Sequence, residues 1–350
     1  MDRFRMFAIS LTMLFVFMVG FSVSVEATTG FSVIPNFPPN QVEGISGVFD
    51  LRMTPGQQQQ VSVTVSNNTD EPITVELSIF AAGTNRNGII DYTAQGQLDD
   101  SAANSLSDIA HIPIDGDIAI PAGQSVEVPI VINVPEEGFE GVILGAIHTL
   151  LGITDEERAS AGMIVNRFAQ VVIVRLQQQE IIPEPDFALG EVSGDMVNHR
   201  AAIVANVINT QPRLSMGATV SAQIYMQGQD TQLFTITEIP VDFAPNAIFP
   251  LSMVDEQGFG IAPGDYTVNI QLAFEGQNWE FTRNLTIEPQ AAQQMNDAAV
   301  NQGQQAPQQM APDNNSFMIL WIVLAISAVA IVALIVFAVL RSPGRNNRHK

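Results

Sequence analysis

The feature that most constrains this chain is a hydrophobic period of two residues. Val61, Val63 and Val65 point one way while Ser62, Thr64 and Ser66 point the other. Ile73, Val75, Leu77 and Ile79 repeat the pattern, as do Val126, Val128, Ile130, Ile132 and Val134, with Glu127 and Asn133 opposite. Strict alternation of this kind marks half-buried β-strands, because successive side chains leave a strand on opposite faces. Turn-forming groups separate the runs: Asn67-Asn68-Thr69-Asp70, Asn87-Gly88, Pro121-Ala122-Gly123 and Glu136-Glu137-Gly138. A later strand is predicted from Phe168 to Leu176. A short helix is predicted around Thr154 to Ala161, with Thr154 as N-cap and Glu157 three residues on.

After Ile182-Pro183-Glu184-Pro185, a stiff linker, the alternation restarts. Ile203, Ala205 and Val207 share a face, as do Val220, Ala222, Ile224 and Met226. A hairpin is predicted in which Tyr266, Val268, Ile270, Leu272 and Phe274 share a face. Glu275-Gly276-Gln277-Asn278 then turns the chain, and Trp279, Phe281, Leu285 and Ile287 return. Short strands without a long amphipathic helix point to an all-β fold, two immunoglobulin-like β-sandwich domains in tandem over residues 28–180 and 184–289. A Pro/Gly turn directly before a strand recurs at Pro55-Gly56, Pro121-Ala122-Gly123 and Pro263-Gly264, which suggests one architecture used twice.

Both ends are membrane-directed. Asp2, Arg3 and Arg5 precede an apolar run from Met6 to Val25 that closes on Val25-Glu26-Ala27. This is the layout of a secretory signal peptide over residues 1–27. Phe317 to Leu340 contains no charge in 24 residues, long enough as a helix to cross a hydrocarbon core of about 30 Å. Arg341, Arg345, Arg348 and Lys350 follow in the tail 341–350 and mark its cytoplasmic side. The expectation is a single-pass type I protein of the cell membrane, most of it outside the cell. Residues 290–316, rich in Gln, Asn, Ala and Pro, read as a flexible stalk spanning roughly 30 Å.

Charge and cysteine content exclude whole classes. The chain carries 14 basic and 36 acidic side chains and no cysteine. Disulfide scaffolds, thiolate metal sites and cysteine nucleophiles are therefore excluded, and the acidity excludes nucleic acid as a partner. The outer region, residues 28–316, holds 34 acidic side chains against 8 arginines, a net −26, and no lysine. A cysteine-free exported region of this size suits a bacterial surface held together by packing alone.

Chemistry-bearing motifs are few. Asn85-x-Asn87-Gly88-x-Ile90-Asp91 partly matches a calcium loop, but Gly83 and Ala94 stand where two strong ligands belong. Two other readings stay open: a hairpin turn with Asn-Gly at its tip, and a polar loop (Asn85, Asn87, Asp91) hydrogen-bonding glycan with Tyr92 as a stacking platform. His111, His148 and His199 lack metal-like spacing, and His148 reads as a structural histidine near a strand end. No H-E-x-x-H, G-x-S-x-G or S-x-x-K occurs. No cofactor or metal is implied, and the reading is non-enzymatic, with a cell-wall-remodelling hydrolase as the alternative.

Three ordered segments carry a resemblance. Phe49-Asp50-Leu51-Arg52-Met53-Thr54-Pro55-Gly56-Gln57, then Asn85-Arg86-Asn87-Gly88-Ile89-Ile90-Asp91-Tyr92, then Gly138-Phe139-Glu140-Gly141-Val142-Ile143-Leu144-Gly145-Ala146-Ile147-His148 resemble the WxL-interacting proteins of Gram-positive bacteria. The resemblance covers roughly residues 31–289 and the anchor. It implies a first domain that binds peptidoglycan, a second that binds host proteins, and surface complexes with WxL-domain partners.

Overall fold

The computed structural model describes residues 30–93, 96–153, 167–178, 182–227, 232–254 and 260–304. The signal peptide, the span at 317–340, the basic tail and the short helix expected at 154–161 lie outside them. The described residues are mostly β, with eighteen strands against two helices, so both layers of each domain are sheets.

In the first sandwich, β1 (Phe31–Asn36), β3 (Gln58–Asn67), β9 (Ser125–Asn133) and β7 (Ala110–His111) form one sheet in the order β1-β3-β9-β7. The other contains β2 (Phe49–Arg52), β4 (Ile73–Ala81), β8 (Ile118–Ile120), β10 (Val142–Leu151) and β11 (Ala169–Gln177), ordered β2-β11-β10-β4-β8. The alternating residues do what their period demands: Val61, Val63, Val65, Val128, Ile130 and Ile132 fill the core from one sheet, and Val75, Ile147, Val172 and Val174 from the other. The pair β2–β11 is parallel, so the first stretch of chain pairs with one sheet and then crosses to the other. Because β11 pairs with both β10 and β2, the first sandwich ends after Gln177.

The second sandwich has β12 (Phe187–Val197), β13 (Arg200–Asn209) and β16 (Ile248–Val254) in one sheet. The other has β14 (Ser215–Met226), β15 (Gln232–Phe243), β17 (Gly264–Phe274) and β18 (Gln277–Ile287) in the order β15-β14-β17-β18. The β17–β18 turn is tighter than the four residues expected, because Phe274 pairs with Gln277. Glu275 and Gly276 both take positive φ (49° and 78°), the two-residue turn whose twist matches that of the strands. Trp279 packs edge-on against Phe187 at 5.0 Å. The Tyr266 hydroxyl donates to the Ala262 carbonyl four residues upstream, the tyrosine corner found in immunoglobulin-like domains.

One lock recurs in both domains. The long strand β3 ends on buried Asn67, whose Nδ2 donates to the carbonyls of Glu71 (2.7 Å), Ile120 and Pro121 (both 3.1 Å). The long strand β13 ends on buried Asn209, whose Nδ2 donates to Arg213 (2.8 Å) and Ala244 (2.9 Å). Each Asn Oδ1 accepts the amide two residues on, from Thr69 and Gln211. Each Asn amide donates to the carbonyl of the residue just before a later strand, Gln124 before β9 and Ala247 before β16. The duplicated architecture thus rests on a shared polar corner.

A correction concerns the expected stalk. Pro289–Gln304 forms a helix, α2, where composition suggested flexible chain. Its Ala292 is buried in the second core, and Asn296 pairs with both the amide and the carbonyl of Ile261 at 3.0 Å. Alanine and glutamine are adequate helix formers, and one buried face anchors the helix where composition showed too few apolar residues.

Candidate functional site

The first sandwich carries a long insertion between β4 and β8, and this insertion joins the domains. Its hairpin pairs β5 (Gly83–Thr84) with β6 (Ile90–Asp91). A short helix, α1 (Leu106–Ile109), and β7 then return it to the first sheet. Its two legs cross where neither has a side chain: a Cβ on Gly83 would lie 2.4 Å from Gly96 Cα.

All four sequence-selected residues lie on this strap. Asn85 Oδ1 accepts the amides of Asn87 (2.9 Å) and Ile89 (3.2 Å), while the Asn85 amide donates to the Ile89 carbonyl. Asn85 therefore organises the hairpin tip, with Asn87 exposed upon it. Asp91 Oδ1 accepts the Thr93 amide at 2.8 Å. The Tyr92 ring is half-buried in the seam between the domains, in a cluster with Ala82, Leu144, Ala244 and Ala247. That burial pushes its phenol above the ordinary tyrosine value. Among the described residues, no group of three His, Asp or Glu is placed to hold a metal ion.

The seam is dense with backbone bonds. Gly88 accepts from the Asp242 amide (2.8 Å), Asp99 donates to Asn246 (2.8 Å) and Ile248 to Gln97 (3.0 Å), so the strap adds a short antiparallel bridge, Leu98 to Ala247, at the start of β16. Thr84 Oγ1 accepts the Ala244 amide (3.0 Å) and donates to the Asp242 carbonyl (3.2 Å). Val142 donates to Pro212 at 2.7 Å. The linker is held as well: buried Arg213 donates to the Pro183 carbonyl and pairs with Glu275, both at 2.8 Å.

Two surfaces stay open. The outer face of the sheet β1-β3-β9-β7 is a grid whose rows follow from register. Ser32, Ser66 and Ser125 form one row; Ile34, Thr64 and Glu127 the next; Asn36, Ser62 and Pro129 the third. Gln60, Val131 and exposed His111 form the fourth row, and Gln58 beside Asn133 the fifth. In the second domain a groove of about 710 Å³ opens between the edge strands β15 and β16, lined by Phe234, Ile236, Ile239, Leu251 and Met253. Neither surface was singled out from the sequence. The grid's only signal there was the Ser/Thr half of an alternation read for its valines.

His148 lies in β10 against Phe80, ring centroids 5.7 Å apart, a packing role as expected from its position. Its pKa is lowered, chiefly by burial; Glu76 opposes this and Arg167 adds to it. Asp50 is the most buried carboxylate among the described residues, 1% exposed, and is held by Gln177 Nε2 at 2.9 Å and Arg175 at 3.3 Å.

Comparison with known proteins decides the family. The model of the WxL Interacting Protein peptidoglycan binding domain matches residues 31–150, and that of the WxL Interacting Protein host binding domain matches residues 159–297. The chain belongs to the WxL-interacting protein family. This WxL-interacting protein has both domains in the order the motifs implied, and the second match runs into α2. No curated protein matches it. Among solved structures it is similar to the YadV chaperone at 10% identity, covering 73% of this chain and all of that one (TM-score 0.27). It is similar to the CupB2 chaperone of Pseudomonas aeruginosa at 11% identity, covering 65% and 92% (TM-score 0.25). It is also similar to PapD-like domain 7 of human CEP192 at 12% identity, covering 47% and 98% (TM-score 0.26).

Proposed function

We propose that this WxL-interacting protein is a non-catalytic cell-surface scaffold. Its first domain binds peptidoglycan, its second binds host proteins, and the whole captures WxL-domain partners. The observation that carries this reading is the tandem match to the peptidoglycan- and host-binding domains of one family. In this reading residues 1–27 direct export, residues 317–340 anchor the chain with its tail inside, and residues beyond α2 connect the second sandwich to the membrane. Asn85, Asn87, Asp91 and Tyr92 take a joining role: they shape and pack the strap that fixes one domain against the other. A rigid two-domain unit suits a scaffold, because partners bound to each domain are then held at a fixed separation.

The test incubates the chain, in mild detergent, with purified peptidoglycan and separately with an immobilised WxL-domain protein. Co-sedimentation with the first and capture by the second are expected, with no fall in the turbidity of the wall suspension. Absence of both would sink the scaffold reading, and loss of turbidity would replace it with a hydrolase.

A further inference from the structure

We infer that the outer face of the sheet β1-β3-β9-β7 is where the first domain takes its ligand, and that the ligand is the uncharged, N-acetylated glycan strand of the wall, not its peptide stems. The inference rests on the peptidoglycan-binding reading above and adds the surface and the part of the polymer.

The chain has 36 acidic side chains and a net charge of −22, yet the five rows of this face hold one carboxylate, Glu127, and Ser62 Oγ donates to it. Open sheet faces of soluble proteins are ordinarily kept in water by charged side chains. A face mostly of hydroxyls and amides, with the His111 imidazole at its β7 edge, instead matches a ligand whose own groups are hydroxyls and acetamides. Peptide stems carry carboxylates, which are recognised through guanidinium or ammonium groups, and the rows contain neither. Elsewhere the protein's negative field repels the anionic parts of the wall, so the neutral face is the surface on which a wall polymer can settle.

The side chains of this face are preorganised. Asn36 Nδ2 lies 3.0 Å from both Ser62 Oγ and Thr64 Oγ1. Ser125 Oγ donates to Ser66 Oγ at 2.8 Å, and Gln58 Nε2 to Asn133 Oδ1 at 2.8 Å. Side chains already fixed by their neighbours lose little rotamer freedom when a ligand binds. Ile34, 57% exposed in the second row, offers an apolar contact for sugar C–H groups and acetyl methyls.

Every strand of this sheet lies within the matched residues 31–150. The opposite sheet takes β11 from beyond them, and its Leu144 and Ile173 pack in the interdomain seam. Among the described residues, the domain therefore leaves one sheet face free of the second domain.

The experiment sediments the full-length chain in mild detergent with insoluble peptidoglycan, comparing wild type with Thr64→Glu, Ile34→Glu and Asn36→Ala. Val171→Glu adds the same charge to the exposed opposite face, where Val171 is 41% exposed. Thr64→Glu and Ile34→Glu are expected to weaken sedimentation by about tenfold or more, and Asn36→Ala by less. Val171→Glu should match wild type, and chitin oligomers should compete where soluble stem peptides do not. The thermal midpoint of each variant confirms folding, and Ile34 is exposed enough to be replaced without disturbing the core. Equal sedimentation of wild type and the face variants would overturn this assignment while leaving peptidoglycan binding intact. Competition by stem peptides alone would overturn the choice of glycan. Failure of wild type to sediment would remove the underlying reading itself.

Discussion

At the residue scale, buried polar side chains carry the specificity that valines cannot. Asn209 is 0% exposed, and its amide group ties together three chain segments that no regular ladder joins. Replacing it by alanine leaves the Arg213 and Ala244 carbonyls and the Gln211 amide without their partner, a cost of about 3 kcal/mol. Urea unfolding of Asn209→Ala should show a loss of that size; a change below about 1 kcal/mol would mean that water replaces the side chain. His148 gives a prediction in pH. Burial lowers its pKa from the ordinary 6.5, so on acidification the unfolded chain takes up the proton first. Between the two values the unfolded state binds more protons, and stability therefore rises with pH and falls as pH drops below about 6.5. His148→Gln should flatten that part of the stability profile, measured as the thermal midpoint between pH 7 and pH 5. A parallel profile would assign the acid sensitivity to other groups. The valines of β3 and β9 were legible as core from their alternation alone. Asn67 and Asn209 were not, because an asparagine at a strand end reads equally well as a solvated turn, and only the carbonyls brought to it from Ile120 or Ala244 show otherwise.

At the element scale, strands and turns followed local sequence closely, and the exceptions have local causes. The β17–β18 turn closed on two residues, since Glu275 and Gly276 accept positive φ and Gln277 is then free to pair. Helix α2 formed in a segment whose composition suggested disorder. A segment with few apolar residues is disordered only if they find no surface, and Ala292 finds one at the end of the second sandwich. The strap is the reverse case. Its sequence holds the Asn-Gly tip that makes a hairpin, and that much was readable. The crossing of Gly83 and Gly96 joins the two legs of the strap itself, whereas the bridge from Leu98 to Ala247 depends on the second domain, far along the chain.

At the scale of the whole molecule, the seam makes two sandwiches into one body. Five backbone amides donate across it, at Val142, Asp99, Asp242, Ala244 and Ile248, each worth about 1 kcal/mol net. Gly141 lies at its tightest point. It has φ +60°, and a Cβ there would come 2.0 Å from the Pro212 carbonyl oxygen. Gly141→Ala must therefore force the domains apart locally. Calorimetry is expected to show wild type unfolding in one transition and this variant in two; a single transition in both would mean that the seam does not couple the domains. By itself the sequence determined the all-β class, which residues share a face along β3, β4, β9, β13, β14, β17 and β18, the family and the order of its domains. These follow from a period of two and from short motifs, and both are local properties of the chain. Tertiary structure alone decided which side of each sheet meets water, which meets the neighbouring domain, and that the polar loop at 85–92 packs against the second sandwich. Alternation says that two residues share a face, but what lies against that face is set by pairings between residues far apart in the chain, and no local pattern records them.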